Sequence, residues 1–531
     1  MRFPMRLLLL AFALASAASA QPVPDAAFSL DGFALPGPAA ESDGLGVALD
    51  AQGRVLVVGR YQDPAQPDAG YIARLRPDGT PDTTIRVLAT SFPAASGEQI
   101  LSARPIRVAA TPDGRIAVAG FLFSQIGTQV RFEQFVAVYR GGALDPAFGT
   151  GGVTRFAGRQ PWALAATPAG LVVASVSAGN VGVARLLRFT YAGAPDPTFS
   201  GDGVFEGAAG SGILDLAVRA DGRLVAVGYA TPAAGAPLED GGDLYVLALT
   251  AAGEPDATFS GDGVLTEDLF GETEAALGVT VLPDGRVLVS GLASKRTGTE
   301  YGTAVMLVRA DGTPEMGFGF EGWTWTNAVR TPGTTGTDEI PSRPYALADG
   351  SFGVLATGLP GAPAGLVSVG LDAGGNPLAA YGPAGVAPLF PDQPGLAFDA
   401  GGGSGLVAGG RLYVVGTQTV AGAPSRAFVA RLAAPTLTGT ADVAAARAAL
   451  AVAPNPVVRA ARVTLTLAET AHATVRVLDA LGRTVAVLAD HTLAAGPHTL
   501  TLDAARLPAG VYAVVATVGG AQSVTRVTVV R

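Results

Sequence analysis

The sequence predicts an all-β chain, a seven-bladed β-propeller followed by a small immunoglobulin-like β-sandwich, and three observations carry that prediction. A module of about sixty residues recurs along the chain, 72 Gly and 38 Pro punctuate its 531 residues, and past residue 440 the module gives way to short alternating strands. With 49% hydrophobic and 15% charged residues, the bulk has the apolar content of a packed fold rather than a disordered one.

Residues 1–20 read as a signal peptide. Arg2 and Arg6 precede an apolar run from Leu7 to Ala15, and Ala18-Ser19-Ala20 puts small residues, Ala18 and Ala20, at the cleavage site. So short a run reaches only about half-way across a bilayer core, so cleavage rather than anchoring is expected. No later stretch is apolar over eighteen residues without Gly, Pro or charge, and no transmembrane segment is expected in the mature chain. The absence of cysteine excludes disulfides, thiolate metal sites and a cysteine nucleophile. A net charge of −9 argues against nucleic acid as a partner. Of the 35 basic residues only Lys295 is a lysine, and the arginines form no dense basic stripe.

The most regular part of the module is a glycine, an arginine, four mostly apolar residues and a second glycine. It opens at Gly53-Arg54, Gly114-Arg115, Gly222-Arg223, Gly285-Arg286 and Gly410-Arg411, with degenerate copies at Gly170 and Gly350. Each copy carries an apolar strand, an Asp-Gly or similar turn, a second strand, a variable loop, a third strand, and an Asp-x-small-Phe element before a Gly-rich turn. Asp-Gly suits a tight hairpin because Gly accepts positive φ freely and Asp better than most residues. The third strands, such as LYVLAL and YIARLR, are expected to be half-buried.

The fourth element bears on closure. It recurs at Asp145 to Phe148, Asp196 to Phe199 and Asp256 to Phe259, and an extra copy, Asp25 to Phe28, stands ahead of the first full module. The seventh module, ending near Leu432, lacks its own. A spare strand at the front and a missing one at the back are what a ring needs if the amino terminus completes its last blade, which also protects sheet edges.

PDGRVLVSG, LTAAGEPDATFSGDGV and YRGGALDPAFGTGGV resemble the bacterial delta-60 repeat, whose units are expected to be propeller-like. That resemblance supports fold and export and lends no activity. The expected boundaries are a propeller over 21–439, a linker over 440–451 with one short helix, and a terminal domain over 452–531.

The terminal domain reads as six or seven short strands with turns at Ala480-Leu481-Gly482-Arg483, Leu507-Pro508-Ala509-Gly510 and Gly519-Gly520. Pro454-Asn455-Pro456, Gly482-Arg483, Ala495-Gly496-Pro497-His498 and Gly510-Val511-Tyr512 resemble the type IX secretion system sorting domain of Bacteroidota and their relatives. The resemblance makes Asn455, Pro456, Gly482, Arg483, Gly496, Gly510 and Tyr512 the sorting motif. It implies passage through the periplasm, delivery to the outer-membrane surface or the medium, and the type IX machinery as a partner.

Catalytic chemistry is sparse. His472, His491 and His498 all lie in the terminal domain, so the propeller region can build no histidine triad or histidine zinc site, and the three read as surface groups. Acidic loop clusters are Glu239-Asp240 with Asp243, Glu267-Asp268 with Glu272, and Asp338-Glu339. Two acids at a suitable separation suffice for glycoside cleavage, but acidic loops also keep a weakly charged protein soluble. The Ser-Gly-Asp-Gly turns at 200–203 and 260–263 offer calcium one carboxylate each, so a turn role is expected. Trp162, Trp323 and Trp325 offer rings on which a sugar could stack but read first as blade packing or rim contacts, and the glycine clusters lack the helix and Lys-Ser/Thr of a phosphate loop. The expected protein is non-enzymatic, without catalytic, cofactor or metal residues. A protein or glycan is its ligand, and a carbohydrate-active enzyme using loop carboxylates is the alternative.

Overall fold

The computed structural model describes residues 23–29, 32–38, 41–63, 66–158, 160–177, 182–231, 242–295, 300–326, 339–347, 350–358, 366–378, 381, 385–389, 396–397, 405–408, 411–420, 422–433, 449–455, 457–467, 470–478, 484–518 and 521–530. Among these, seven antiparallel sheets of four to six strands follow one another between Val23 and Ala433. The first four-stranded sheet, blade 1, is Ser42–Leu49, Val55–Asp63, Gln66–Leu75 and Pro81–Val87; blade 4 is Ser211–Val218, Leu224–Ala230, Asp243–Leu249 and Val264–Glu267. Ser42–Leu49 packs on Glu98–Ala110 of blade 2, which packs on Ala163–Ala166 of blade 3, and the series runs on through Ser211–Val218 to Glu274–Val281 of blade 5. Ser42–Leu49 also meets Arg411–Gln418 of blade 7, so the series closes into a β-propeller.

Closure uses the amino terminus. Val23–Pro24 and Phe33–Ala34 pair with Arg426–Ala433, in the register Val23↔Ala433 and Phe33↔Ala430, and Phe33 stacks on Phe428 at 5.3 Å. The first and last strands thereby share one sheet, and the outer edge of blade 7 is covered.

The third strands are buried on both faces rather than half-buried, with all but the first residue of Asp243–Leu249 enclosed. Each blade lies between two others, so neither face of its middle strands meets water. One core therefore joins Val225, Val227 and Val246 of blade 4 to Val279, Val289 and Met306 of blade 5.

The recurring Asp-x-small-Phe element is a rivet between blades. Phe28, Phe148, Phe199, Phe259 and Phe318 are almost wholly enclosed. Ser200 and Ser260, at φ of 48° and 52°, donate their N–H groups to Ala252 O and Asp311 O at 2.8 and 2.7 Å in the next blade, and their hydroxyls to Gly253 O and Gly312 O. Ser29 makes the same bond to Asp78 of blade 1 at 2.7 Å, stitching the ring shut a second time. The Asp of the element caps its own turn and takes an arginine, as Asp196 takes Arg188 at 2.7 Å and Asp256 takes Arg223 at 2.9 Å. Arg223, like Arg115 with Asp145 at 3.3 Å, is the arginine of a Gly-Arg signature, whereas Arg188 comes from a third strand.

The carboxy-terminal module is a sandwich of two sheets. Ala449–Ala453, Ala460–Leu467 and Gly496–Asp503 form one, and Thr484–Leu493, Ala471–Leu478, Gly510–Val518 and Ala521–Val529 the other. Val463, Leu465, Val475, Val477, Val514 and Val527 form the core between them. Ala449–Ala451, assigned to the linker from sequence, belong to its first strand, where alternating apolar residues pair with Leu465 and Thr464. Residues 434–448, where the short helix was expected, lie outside the described residues.

Candidate functional site

The first strands of blades 1, 2, 4 and 5 carry a β-bulge at corresponding places, between Gly44 and Gly46, Pro105 and Arg107, Ile213 and Asp215, and Ala276 and Gly278. A bulge re-aims the residue after it. Two of those positions hold glycine, and Arg107 and Asp215 bring charge. Asp215, 0% exposed, accepts the Val279 N–H at 2.9 Å and a bidentate fork from Arg343 of blade 6, whose Nε lies 2.9 Å away. A Cβ on Gly278 would come within 2.6 Å of Arg343 Cα, so only glycine admits that arginine. Arg107 donates to Trp162 O at 2.6 Å and Leu45 O at 3.1 Å, tying blades 1, 2 and 3. A cavity of about 360 Å³ lies among these side chains, with Val47, Leu164 and Leu406 on its wall.

The face on which the first strands begin carries a second cavity, of about 430 Å³, lined by Arg60, Arg104, Phe121, Gln160, Thr417 and Ser425 among others. Residues from blades 1, 2, 3 and 7 meet there because each inner strand starts, and each second strand ends, on this face. Arg60 is paired with Asp43. Beside the cavity Phe121, Phe123 and Phe132 cluster with centroids 5.2 to 5.8 Å apart, and the Arg104 guanidinium lies 5.6 Å from the Phe121 ring centre and 5.8 Å from that of Phe123. They sit on the long hairpin Ile116–Ile126 and Gln129–Arg140, with Phe132 40% and Val130 63% exposed. Sequence reasoning missed this platform. Its signal is the alternating apolar residues of FLFSQIGTQVRF, which continue past the length of the other second strands.

The acidic clusters behave differently from one another. Glu239, Asp240 and Asp338 lie outside the described residues, as does the side chain of Glu339. Asp243 and Asp268, from two separate sequence clusters, come together with Glu274, each offering an oxygen within 4.8 Å of the others. Asp243 is half-buried, Asp268 exposed and Glu274 0% exposed, with neither oxygen of Glu274 hydrogen-bonded. Burial first, and then the charges of Asp268 and Asp243, push Glu274 up to about 8, and burial followed by Asp268 raises Asp243. Glu272 does not join the trio. Burial and then the charge of Glu321 raise Glu267.

The Ser-Gly-Asp-Gly aspartates serve their turns, Asp202 accepting the Val204 N–H at 2.8 Å and Asp262 that of Val264 at 2.9 Å. Trp323 packs edge-on to Phe270 at 5.0 Å, and Trp325 donates to Ala293 O at 3.1 Å. Trp162 packs beside Leu214 and Leu277.

In the carboxy-terminal sandwich, Tyr512 donates to Pro508 O at 2.9 Å and Asn455 accepts the Thr528 N–H at 2.9 Å, so the first and last strands are tied through motif residues. Residues 451–530 match the family model of the secretion system C-terminal sorting domain. The sandwich is a type IX secretion sorting domain. The protein is thus exported, to the cell surface or the extracellular space. In its sorting domain Gly496 takes φ +112° at a strand start and Gly510 opens the strand holding Tyr512, while Pro456, Gly482 and Arg483 lie outside the described residues, as do Ala18 and Ala20. His472 and His491 are exposed and His498 half-buried. Among the described residues no helix is long and apolar enough to cross a membrane.

Residues 52–84 and 282–318 match a β-propeller domain of unknown function, each match running from near the Gly-Arg hairpin to the fourth element of its blade. No curated protein matches the chain. Among solved structures it is similar to the polysaccharide lyase Uly1, at 9% identity and a TM-score of 0.40 over 75% of this chain and 91% of the lyase. It is also similar to PorZ, a surface component of the type IX secretion system of Porphyromonas gingivalis, at 13% identity and a TM-score of 0.17 over 92% of this chain and 74% of PorZ. A third is GH43B of the Bacteroides ovatus xyloglucan locus, at 11% identity and a TM-score of 0.25 over 93% of this chain and 91% of that one.

Proposed function

We propose that the protein is a non-enzymatic binding propeller, exported by a signal peptide and a sorting domain, whose ring mouth holds a glycan. The observation that carries this reading is the juxtaposition of Phe121 and Arg104 with a cavity bearing Gln160, Thr417 and Ser425. A sugar ring presents an apolar C–H face and a hydroxyl-rich edge, and such a mouth offers each its complement. The alternative, cleavage by paired carboxylates, needs two acids that both face the substrate, about 5–10 Å apart. Glu274 is wholly enclosed beside its two partners, which speaks for binding over turnover.

The secreted protein should retain one class of polysaccharide on a glycan array without releasing oligosaccharides. Arg104→Ala and Phe121→Ala should each weaken that binding at least ~10-fold in calorimetry. Equal binding by both variants, or saturable turnover lost in Asp240→Asn or Glu267→Gln, would overturn the reading.

A further inference from the structure

The ring's own repetition isolates one position. At the start of the first strand in blades 1 and 4 stands a serine, and its hydroxyl takes an N–H from the third strand of the preceding blade: Ser42 accepts from Ala427 at 3.1 Å, Ser211 from Ala184 at 3.3 Å. Blade 5 keeps the backbone half of this joint. The Glu274 N–H donates to Gly242 O at 2.6 Å, as the Ser42 N–H donates to Ser425 O at 2.8 Å. In place of the hydroxyl, however, it carries a carboxylate.

A serine suffices to join two blades, so the carboxylate of Glu274 is surplus to the fold. It is also costly, being 0% exposed with neither oxygen hydrogen-bonded. Uncompensated burial of such a group is strongly unfavourable. The Phe270 N–H on the loop before it is near enough to favour the charged form but makes no hydrogen bond of good geometry, so it offsets the burial only in part. Two further acids face it, Asp243 opening the third strand of blade 4 and Asp268 following that blade's fourth strand.

We propose that Asp243, Asp268 and Glu274 bind a calcium ion that clips blade 4 to blade 5. All the donors are hard carboxylate oxygens, which suit calcium or magnesium and not the metals that prefer nitrogen or sulfur. Calcium–oxygen bonds of about 2.3–2.6 Å place opposed ligands nearly 5 Å apart, whereas magnesium at about 2.1 Å holds them nearer 4 Å. The three oxygens all lie within 4.8 Å of one another, close enough for one such ion to bind them together. One divalent metal neutralises two of the three charges. An exported chain meets calcium at the millimolar level that extracellular calcium modules are built for, with dissociation constants on the order of 10⁻⁴–10⁻³ M.

The test uses the full chain after chelation. Calorimetry should find one calcium site in that range, magnesium should compete weakly, and calcium should raise the melting temperature. Glu274→Ser installs the residue of blades 1 and 4, so that variant should fold as well as the metal-free parent and lose the calcium response entirely. Absence of a calcium-dependent shift in the parent would sink the proposal. An equal response in Glu274→Ser would sink it too.

Discussion

The Arg411 guanidinium donates to the Asp25 carboxylate over 2.7 Å across 386 residues of chain, in the same contact that Arg223 makes with Asp256 inside blade 4. Arg431, 6% exposed, lies 2.9 Å from the same carboxylate with its guanidinium 4.9 Å from the Phe28 ring centre. Blade 7 is therefore completed by the arginine–aspartate contact that blades 2 and 4 make within themselves, with its acid supplied from residues that precede blade 1.

Removing that acid should open the ring. Asp25→Ala leaves Arg431 buried without its counter-charge, a change that costs about 3–5 kcal/mol. Arg411→Ala, which removes a half-exposed partner, should cost about 1 kcal/mol or less. Guanidinium unfolding measures both, and equal values would mean that closure does not run through Arg431.

Acid should weaken the ring through its paired carboxylates. Arg155, by hydrogen bonding, holds Glu98 down at about 2. For Asp196 and Asp256, burial works upward, but the Thr198 and Thr258 hydroxyls and N–H groups, with Arg188 and Arg223, outweigh it and hold both below the usual range. Their folded pKa values are depressed, so the stability they contribute is present above the unfolded value near ~4 and is lost as pH falls through the lower folded values. Melting temperature against pH should fall steeply below about 4.

Glu274 has the opposite sign. Its folded pKa of about 8 exceeds the unfolded value, so the native state binds the extra proton and metal-free stability declines as pH rises from about 4.5 to 8. In chelator, Glu274→Gln should flatten that decline. A parent curve level across the range would contradict the burial of this carboxylate.

Two glycines of equal backbone conformation separate strain from contact. Gly253 and Gly261 have φ of 85° and 86°, but a Cβ on Gly253 would meet the Phe199 ring at 2.6 Å whereas one on Gly261 meets nothing within 4 Å. Gly261→Ala should cost about 1 kcal/mol for left-handed backbone alone. Gly253→Ala should cost about 1–3 kcal/mol more, from overpacking the rivet between blades 3 and 4. Urea denaturation of the two variants checks the difference.

Deleting residues 452–531 should leave the propeller in the periplasm, as fractionation of producing cells would report. Normal surface delivery of the truncated chain would contradict the sorting role of that domain.

The sequence by itself determined the repeating module, the turns, the spare first strand and the sorting domain. Asp-Gly hairpins, the Asp-x-small-Phe element and the alternation of Val463, Leu465 and Leu467 act over a few residues, and local chemistry is written in local order. Tertiary structure alone decided what the blades bring to one another. The third strands read as half-buried because a single sheet has an open face, and they are enclosed because each blade is covered on both sides. Asp243 and Glu274 stand in different modules, and their meeting depends on the offset between two stacked sheets, while the fork of Arg343 on Asp215 joins blades 6 and 4 beside the cavity. Glu274 was nonetheless faintly legible, as an acid where blades 1 and 4 carry serine. What that acid faces depended on loops of another blade, because distances between stacked sheets are fixed by side-chain packing and not by spacing along the chain.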